Sequence, residues 1–196
     1  MRKLIYASAI FLCIFDLTTS LYSQEYRWQA LPNAPTSPAR FEDIYFINPL
    51  TGWVIQNVRS NNVQLPNLYK TTDGGESWQN MADTTFGYPR CIGFANQNTG
   101  WIGTYLIYRD TIGIFKTTNG GQDWFPQVVG NNNDSFGVCG LSVVDENHVF
   151  ACGRWYEPAK FYSTTNGGTT WTVKDMSPFA DRLIDCYFIT PDSGFV

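Results

Sequence analysis

Six loop residues are the main candidates for binding chemistry in this sequence. Three arginines lie just before predicted strands, and a fourth arginine and two aromatic residues lie in predicted loops. Guanidinium groups that converge on one opening would suit a carboxylate or an acidic peptide tail. Aromatic rings beside them would suit a sugar or a peptide. The predicted ligand-binding set is Arg40, Arg90, Arg182, Arg154, Tyr105 and Trp155.

The same residues also have structural explanations. The arginines could be solvated, or they could pair with Glu42, Asp181 and Asp185, because surface ion pairs are common and contribute little stability. The aromatic residues could pack between loops, since aromatic side chains are enriched in protein cores as well as in interfaces. The sequence leaves these alternatives open.

The histidine and cysteine content of the sequence gives little support for a catalytic or a metal-binding site. His148 is the only histidine and no Cys-x-x-Cys occurs, which argues against a histidine triad, a metal ribbon and a redox motif. We therefore predict no catalytic residue, no metal and no cofactor. Cys139 and Cys152 are predicted on neighbouring strands and could face each other, but the connectivity of disulfides does not follow from sequence.

One short stretch occurs three times and must position all of these groups. The copies are Tyr-Lys-Thr-Thr-Asp-Gly-Gly-Glu-Ser-Trp, Phe-Lys-Thr-Thr-Asn-Gly-Gly-Gln-Asp-Trp and Tyr-Ser-Thr-Thr-Asn-Gly-Gly-Thr-Thr-Trp, which end at positions 78, 124 and 171. A repeat of about 46 residues is typical of stacked or radially arranged units. Asp-Gly and Asn-Gly predict a tight turn, because these residues tolerate positive φ. An aspartate or asparagine in each copy should accept amide hydrogen bonds, and the tryptophan should cover the turn. The structural residues of this motif are Thr71, Asp73, Gly75, Trp78, Asn119, Gly121, Trp124, Asn166, Gly168 and Trp171.

The repeat as a whole predicts four antiparallel strands. A strand, a tight turn, a return strand with an aromatic residue and a longer loop precede each turn motif, and a short strand follows it. Four strands in about 45 residues fit one blade of a β-propeller. We predict an all-β, incomplete propeller with blades at about 40–82, 89–130 and 136–176, a half-blade at 182–196 and an N-terminal closing strand at 26–32.

The turn motif resembles a known repeat family. Thr71-x-Asp73-x-Gly75-x-Ser77-Trp78 resembles the Asp-box of bacterial-neuraminidase-type (BNR) repeats, although the later copies carry asparagine at the aspartate position. Combined with the Gly-Trp of the second strand, it resembles the Ycf48-like repeat, named after a photosystem II stability and assembly factor. The resemblance implies a β-propeller in which the Asp-box is a peripheral folding element. It also implies a binding or assembly role.

The first residues predict export. A basic tip, a short apolar run and small residues up to position 23 are typical of a secretory signal peptide, which leaves 24–196 as the partial propeller. This predicts a periplasmic, cell-surface or secreted protein without stable membrane insertion after cleavage. The net charge of −4 argues against nucleic acid as a partner.

Strand order predicts which side of the propeller binds. Successive strands alternate in direction, so the tight turns and Asp-box turns share one face and the longer, irregular loops share the other. Binding residues usually lie on variable loops of a constant scaffold. We therefore expect the ligand on the second face. Because the pattern stops within a repeat at Val196, we also expect this chain to be part of a longer propeller.

Two functions are consistent with the sequence. The first is a non-catalytic module or scaffold that binds a protein or peptide, with a glycan as a further candidate ligand. The alternative is a glycoside hydrolase of sialidase-like or xyloglucanase-like type, with catalytic residues partly outside this chain. That alternative requires two opposed carboxyl groups. The acidic residues of the predicted loops carry no such motif, and the Arg-Ile-Pro segment expected of sialidases is absent.

Overall fold

The computed structural model describes residues 30–60, 63–81, 87–105, 113–127, 129, 137–153 and 158–196, with backbone alone at 59–60 and 63–65. The chain divides into two units, 1–30 and 31–196, and every strand described below belongs to the second. The predicted signal peptide, most of the predicted closing strand, Arg154 and Trp155 lie outside the described residues. Within the ranges described, no helix is long and apolar enough to cross a membrane.

The strands of the described residues form three four-stranded sheets and one hairpin. In each sheet the strands follow one another in chain order, and all neighbouring strands are antiparallel. The first sheet holds β1 (Arg40–Phe46), β2 (Gly52–Ser60), β3 (Val63–Thr71) and β4 (Gln79–Asn80). The second holds β5 (Tyr88–Phe94), β6 (Gly100–Tyr105), β7 (Ile114–Thr117) and β8 (Phe125–Pro126). The third holds β9 (Gly140–Val143), β10 (Val149–Gly153), β11 (Lys160–Thr164) and β12 (Thr172–Asp175), and β13 (Tyr187–Thr190) pairs with β14 (Ser193–Phe195).

The first strand of each sheet lies next to the first strand of the following one. β1 contacts β5, β5 contacts β9, and β9 contacts β13. Hydrogen bonds join these strands: Ile92 N donates to Asp43 Oδ2 at 2.9 Å, and Phe188 N donates to Ser142 Oγ at 2.9 Å. First strands that meet one another while later strands lie farther out are the arrangement of propeller blades. The predicted fold, an all-β and incomplete β-propeller with four-stranded antiparallel blades, is confirmed.

Aromatic stacking joins consecutive blades. Trp53 of β2 is fully buried and stacks on Phe94 of β5, with ring centroids 3.6 Å apart. Phe150 of β10 stacks in the same way on Phe188 of β13, at 3.8 Å. Trp101 of β6 occupies the equivalent position in the second blade and is also fully buried. The repeated aromatic residue of the second strand therefore packs its own blade against the next.

A tryptophan of the first blade and a lysine of the second each donate a hydrogen bond to the Asp-box turn of the next blade. Trp53 Nε1 donates to Gly120 O at 3.1 Å, and Lys70 Nζ lies 5.1 Å from the centre of the Trp53 ring. One blade further on, Lys116 Nζ donates to Gly167 O at 2.7 Å and lies 5.2 Å from the centre of the Trp101 ring. These contacts give the lysine of Lys-Thr-Thr a role that the sequence pattern does not indicate.

The Asp-box turn is closed by hydrogen bonds between its own residues. Gly75 N donates to Thr71 Oγ1 at 2.9 Å, and Ser77 N donates to Asp73 Oδ1 at 2.9 Å. Gly75 has a φ of 95°, which L side chains rarely adopt. Trp78 Nε1 donates to Gly75 O at 3.1 Å, so the indole covers the turn as predicted. The covering tryptophan precedes β4 and so belongs to the loop. The loop is therefore longer than the two-residue turn of a tight hairpin.

The other two copies keep this geometry with asparagine in place of aspartate. Asp123 N donates to Asn119 Oδ1, and Thr170 N donates to Asn166 Oδ1, both at 2.9 Å. Trp124 Nε1 donates to Gly121 O at 3.2 Å. Within the part of the chain that the structure describes, buried Trp171 Nε1 has no hydrogen-bond partner, so the third copy lacks this bond to Gly168. Asparagine suffices because the turn uses the side-chain oxygen as an acceptor.

The carboxylate of Asp73 should make the first turn sensitive to acid. Its hydrogen bonds from Ser77, together with one from Thr71, lower the pKa of Asp73 to about 2. The pKa of unfolded Asp is about 3.9, so this stabilisation is complete above about pH 4 and is lost as the pH falls towards about 2. We expect the melting temperature of the Asp73→Asn variant to fall less over this pH interval than that of the unmodified chain. Equal pH dependence of the two proteins, measured by circular dichroism, would contradict this interpretation.

Large apolar side chains are exposed on the first blade and on the last hairpin. Ile44 of β1 is 60% exposed, and Ile189 of β13 is 63% exposed. Phe41 and Phe195 are likewise exposed on β1 and β14. In a propeller the flanks of each blade are covered by its neighbours. These are the two flanks that no described blade covers.

Candidate functional site

The structure brings two of the predicted arginines together. Arg40 begins β1 of the first blade, and Arg90 lies in β5 of the second. Both pair with the side chain of Glu42, at distances of 3.2 Å from Arg40 Nε and 2.6 Å from Arg90 Nη1. Arg182 is exposed and precedes β13 of the fourth repeat, two repeats beyond Arg90 in the chain. We call Arg40, Glu42, Tyr88 and Arg90 the arginine cluster.

Two β-bulges set the direction of two side chains of this cluster. The register of β1 against β2 shifts between Phe41 and Asp43, and that of β5 against β6 shifts between Pro89 and Cys91. Glu42 and Arg90 are the extra residues at these shifts, and both lie six positions before the turn that follows their strand. A bulge redirects a side chain away from the regular alternation of the strand. The two bulges therefore turn Glu42 and Arg90 towards each other between neighbouring blades.

Glu42 is the centre of the cluster. Its side chain is 0% exposed, and both of its carboxylate oxygens have partners. Tyr88 Oη donates to Oε1 at 2.6 Å, whereas Arg90 and Arg40 approach Oε2. Burial of a carboxylate is unfavourable unless charged and hydrogen-bonding partners surround it. The buried acid thus fixes the positions of the two guanidinium groups and the phenol.

The cluster shifts the pKa values of its members. Burial raises the pKa of Tyr88, and the hydrogen bond and charge of Glu42 raise it further. Burial would lower the pKa of Arg90, but the Glu42 carboxylate offsets this effect and the pKa of Arg90 is raised. Both groups therefore remain protonated at neutral pH, and each keeps its hydrogen-bond donors.

The outer side of the cluster is open to solvent. The side chain of Arg40 is 65% exposed and that of Arg90 is 23% exposed. Each guanidinium has five N–H donors, of which the ion pair with Glu42 engages only a part. Asn57 pairs with Arg40 in the sheet and is buried beside Tyr88, where its side chain partly offsets the rise in the pKa of that tyrosine.

Aromatic residues border the cluster on the side of the second blade. Tyr88 and Tyr105 meet edge to face, with ring centroids 6.2 Å apart. A side chain at Gly137 would approach the Tyr105 ring to 3.3 Å, so this ring packs closely against the third repeat. Tyr105 therefore contributes both to inter-blade packing and to the edge of the site.

Asp43 lies beside the cluster and links the first two blades. Burial raises its pKa, although backbone amides of Ile92 and Ile44 donate to its carboxylate at 2.9 and 2.8 Å. The charge of Asp185, at the equivalent position of the fourth repeat, raises it further. The charges of Asp43 and Asp185 are therefore close enough to interact, although they belong to the first and the fourth repeat.

The arginine cluster and the Asp-box turns lie at opposite ends of the strands. Each Asp-box turn bonds to the tight turn between the first two strands of its blade, as when Gly74 N donates to Leu50 O at 2.8 Å. The cluster lies where the first strands begin and the second strands end. Among the described residues, no group of three or more His, Cys, Asp or Glu side chains could hold a metal ion.

Comparisons with known proteins give structural likeness only. No family model matches the chain, and no curated protein sequence matches it. A solved structure of YCF48 bound to D1 peptide is 18% identical, with a TM-score of 0.47, and the match covers 83% of this chain and 64% of that one. The GH74 xyloglucanase from Xanthomonas campestris is 17% identical, with a TM-score of 0.43, and the match covers 72% of this chain and 23% of that one. The chain therefore spans less than two thirds of either protein, and the fold assignment above rests on its own sheets.

The sequence pattern points to the two arginines of the cluster but does not place Glu42 at its centre. From the sequence, Glu42 is only an alternative ion-pair partner, and nothing in the pattern singles out Tyr88. The signal for Glu42 is its position in the repeat, which it shares with Arg90. Opposite charges at equivalent positions of adjacent blades predict an ion pair between those blades.

Proposed function

We propose that this propeller is an exported, non-catalytic binding module that takes a carboxylate-bearing peptide or protein segment on its variable face. Arg40 and Arg90 are the cationic contacts, and Tyr88 and Tyr105 form the border. The observation that carries the proposal is the buried Glu42, which holds two guanidinium groups in fixed positions at the surface. Export is proposed from the signal-peptide pattern of residues 1–23.

The charges of the cluster favour an additional acid. Two guanidinium groups share one bridging carboxylate, and Arg40 is largely exposed. The nearby Asp43 interacts with the charge of Arg90, but burial raises its pKa and so disfavours its charged form, and both of its oxygens accept backbone amides. Prepositioned arginines lose little side-chain entropy when a carboxylate binds, and their planar forks match its geometry. A ligand carboxylate would therefore be a second acid for the pair of guanidinium groups.

The glycoside hydrolase alternative has less support from this geometry. Asp43 and Asp185 are the equivalent acids of two repeats, and a hydrolase would need such carboxyl groups opposed across a sugar. Burial is the main cause of the raised pKa of Asp43, and its oxygens bind the amides of Ile44 and Ile92. A carboxyl group held in this way links strands. Release of nitrophenol from aryl glycosides by the purified chain would favour the hydrolase.

The proposal is tested with a fluorescein-labelled, glutamate-rich decapeptide and the same peptide with glutamine in place of glutamate. We expect anisotropy to show binding of the glutamate peptide alone, weakened by salt because exposed charges are screened. Arg40→Gln should weaken binding by roughly 10-fold or more, since a charge-assisted hydrogen bond contributes about 1.5–3 kcal/mol. Lys174→Gln removes an exposed cation of β12 and should leave the affinity unchanged.

Two results would contradict the proposed function. One is equal affinity for the glutamate and glutamine peptides. The other is unchanged affinity of the Arg40→Gln variant. Either result would assign the arginine cluster to blade packing alone.

A further inference from the structure

Two cysteines from neighbouring repeats meet in one apolar cluster. Cys152 lies in β10 of the third blade and is 0% exposed, whereas Cys186 directly precedes β13 and is 5% exposed. Both pack with Phe150, Ala159 and Leu183. The thiol of Cys152 has a side-chain hydrogen bond with Cys186. The two sulfur atoms are therefore neighbours although they are far apart in the sequence.

The backbone holds these two residues together. Cys152 pairs in register with Gly140 of β9. A Cβ on Gly140 would lie 2.4 Å from Asp185 Cα, so the segment that carries Cys186 rests directly on this glycine. Phe188 N then donates to Ser142 Oγ at 2.9 Å and anchors the next residues of the same segment. A side chain at position 140 would displace Cys186 from Cys152.

The other cysteines have different surroundings. Cys91 packs with Trp101 and Val138 in a second cluster, between the second and third blades, where burial and the nearby Asp43, Cys139 and Cys152 raise the pKa of its thiol. By its predicted position Cys139 could face Cys152, and a backbone hydrogen bond from Cys139 N to Cys152 O, at 2.8 Å, joins the two residues. The residue opposite Cys152 in the ladder is Gly140. All four described cysteines are thiols in this structure.

We propose that Cys152 and Cys186 are a disulfide pair that covalently joins the third blade to the inner strand of the fourth repeat. One S–S bond forms and two S–H bonds are lost. A disulfide of low molecular mass, such as oxidised glutathione, accepts the two electrons and two protons and leaves as two thiols. The proposal fits the export that forms part of the proposed function, because disulfides persist in oxidising compartments.

The pair should oxidise during folding and not afterwards. The hydrogen bond between Cys152 and Cys186 and the burial of Cys152 raise the pKa of the Cys152 thiol. Little thiolate therefore exists in the folded protein. Thiol–disulfide exchange requires a thiolate and access to the attacked sulfur. A reduced, folded chain should thus react slowly with oxidised glutathione, whereas a refolding chain should form the bond. Closing a loop of this length should raise the melting temperature by roughly 10 °C.

The test is disulfide mapping of the full chain after refolding in a glutathione buffer. Free thiols are alkylated, and the protein is cleaved with trypsin and a glutamate-specific protease. Cleavage at Glu146 separates Cys139 from Cys152, and cleavage at Arg182 releases Cys186. We expect peptide 147–154 joined to peptide 183–196, two hydrogens lighter than their sum. Cys13, which lies outside the described residues, is on a peptide of its own.

Variants supply the controls. Cys139→Ser should keep the cross-linked peptide and the higher melting temperature, whereas Cys186→Ser should lose both. Alkylation of both Cys152 and Cys186 in refolded chain, or a bond from either of them to another cysteine, would overturn the proposal. Because mapping uses the unmodified chain, its result does not depend on the folding of any variant. It is also independent of the peptide-binding result, which tests the proposed function at the other site.

Discussion

Replacing Trp53 by alanine is expected to lower the free energy of unfolding by about 3–5 kcal/mol, the range for large aromatic residues removed from cores. Trp53 is fully buried, stacks on Phe94 of the next blade and donates to Gly120 of the next Asp-box turn. The substitution removes all three of these interactions and leaves a cavity between two blades. Urea denaturation followed by circular dichroism measures the change.

The chain itself offers the matched control for this variant. Phe150 occupies the equivalent position of the third blade and stacks on Phe188. Trp53→Phe should therefore keep the stacking and lose the hydrogen bond to Gly120, at a cost of about 1 kcal/mol. If Trp53→Ala costs no more than Trp53→Phe, the indole does not hold the blades together.

The second large effect is expected at the arginine cluster. Arg90→Met removes the guanidinium that lies 2.6 Å from the buried Glu42 carboxylate but retains a side chain of similar length. Removing one partner of a buried ion pair leaves an incompletely compensated charge, which costs about 3 kcal/mol. Arg40 and Tyr88 remain as partners of Glu42 and keep the loss from being larger. Urea denaturation again measures the difference.

Two controls separate charge compensation from packing. Arg40→Gln removes the exposed member of the cluster and should cost less than about 1 kcal/mol. The double variant Glu42→Leu with Arg90→Met removes both charges and should recover part of the loss, because an apolar pair often replaces a buried ion pair without cost. A double variant that is less stable by the sum of the two single losses would show that Glu42 and Arg90 do not interact energetically.

Most of the fold could be predicted from the sequence because its signals are local and repeated. Thr71, Asp73 and Trp78 are close in sequence and close the same turn, so one copy already specifies the geometry. The 46-residue repeat then implies equivalent sheets. Four strands in chain order follow from short connections, which favour pairing between neighbours in sequence.

The contacts between blades could not be predicted, because they join residues from different repeats. The bonds of Lys116 to Gly167 and of Trp53 to Gly120 depend on how one blade is placed against the next. The ion pair of Glu42 and Arg90 also depends on two bulges. A bulge adds one residue without an evident sequence signal and changes the direction of every side chain around it. The sequence could therefore place the arginines near strand starts and name Glu42 among three possible partners, but it could not show that one buried carboxylate pairs with both arginines.

The most direct test of the carboxylate-binding proposal is to locate the bound peptide on the molecule. The ¹⁵N-labelled chain would be titrated with the glutamate-rich decapeptide, and amide chemical shifts would be followed by NMR. We predict shifts at residues 40–43 and 88–92, where Arg40, Glu42 and Arg90 lie, and unchanged amides in the Asp-box turns at the opposite end of the strands. Shifts confined to the Asp-box turns, or no shifts at millimolar peptide, would contradict the proposal.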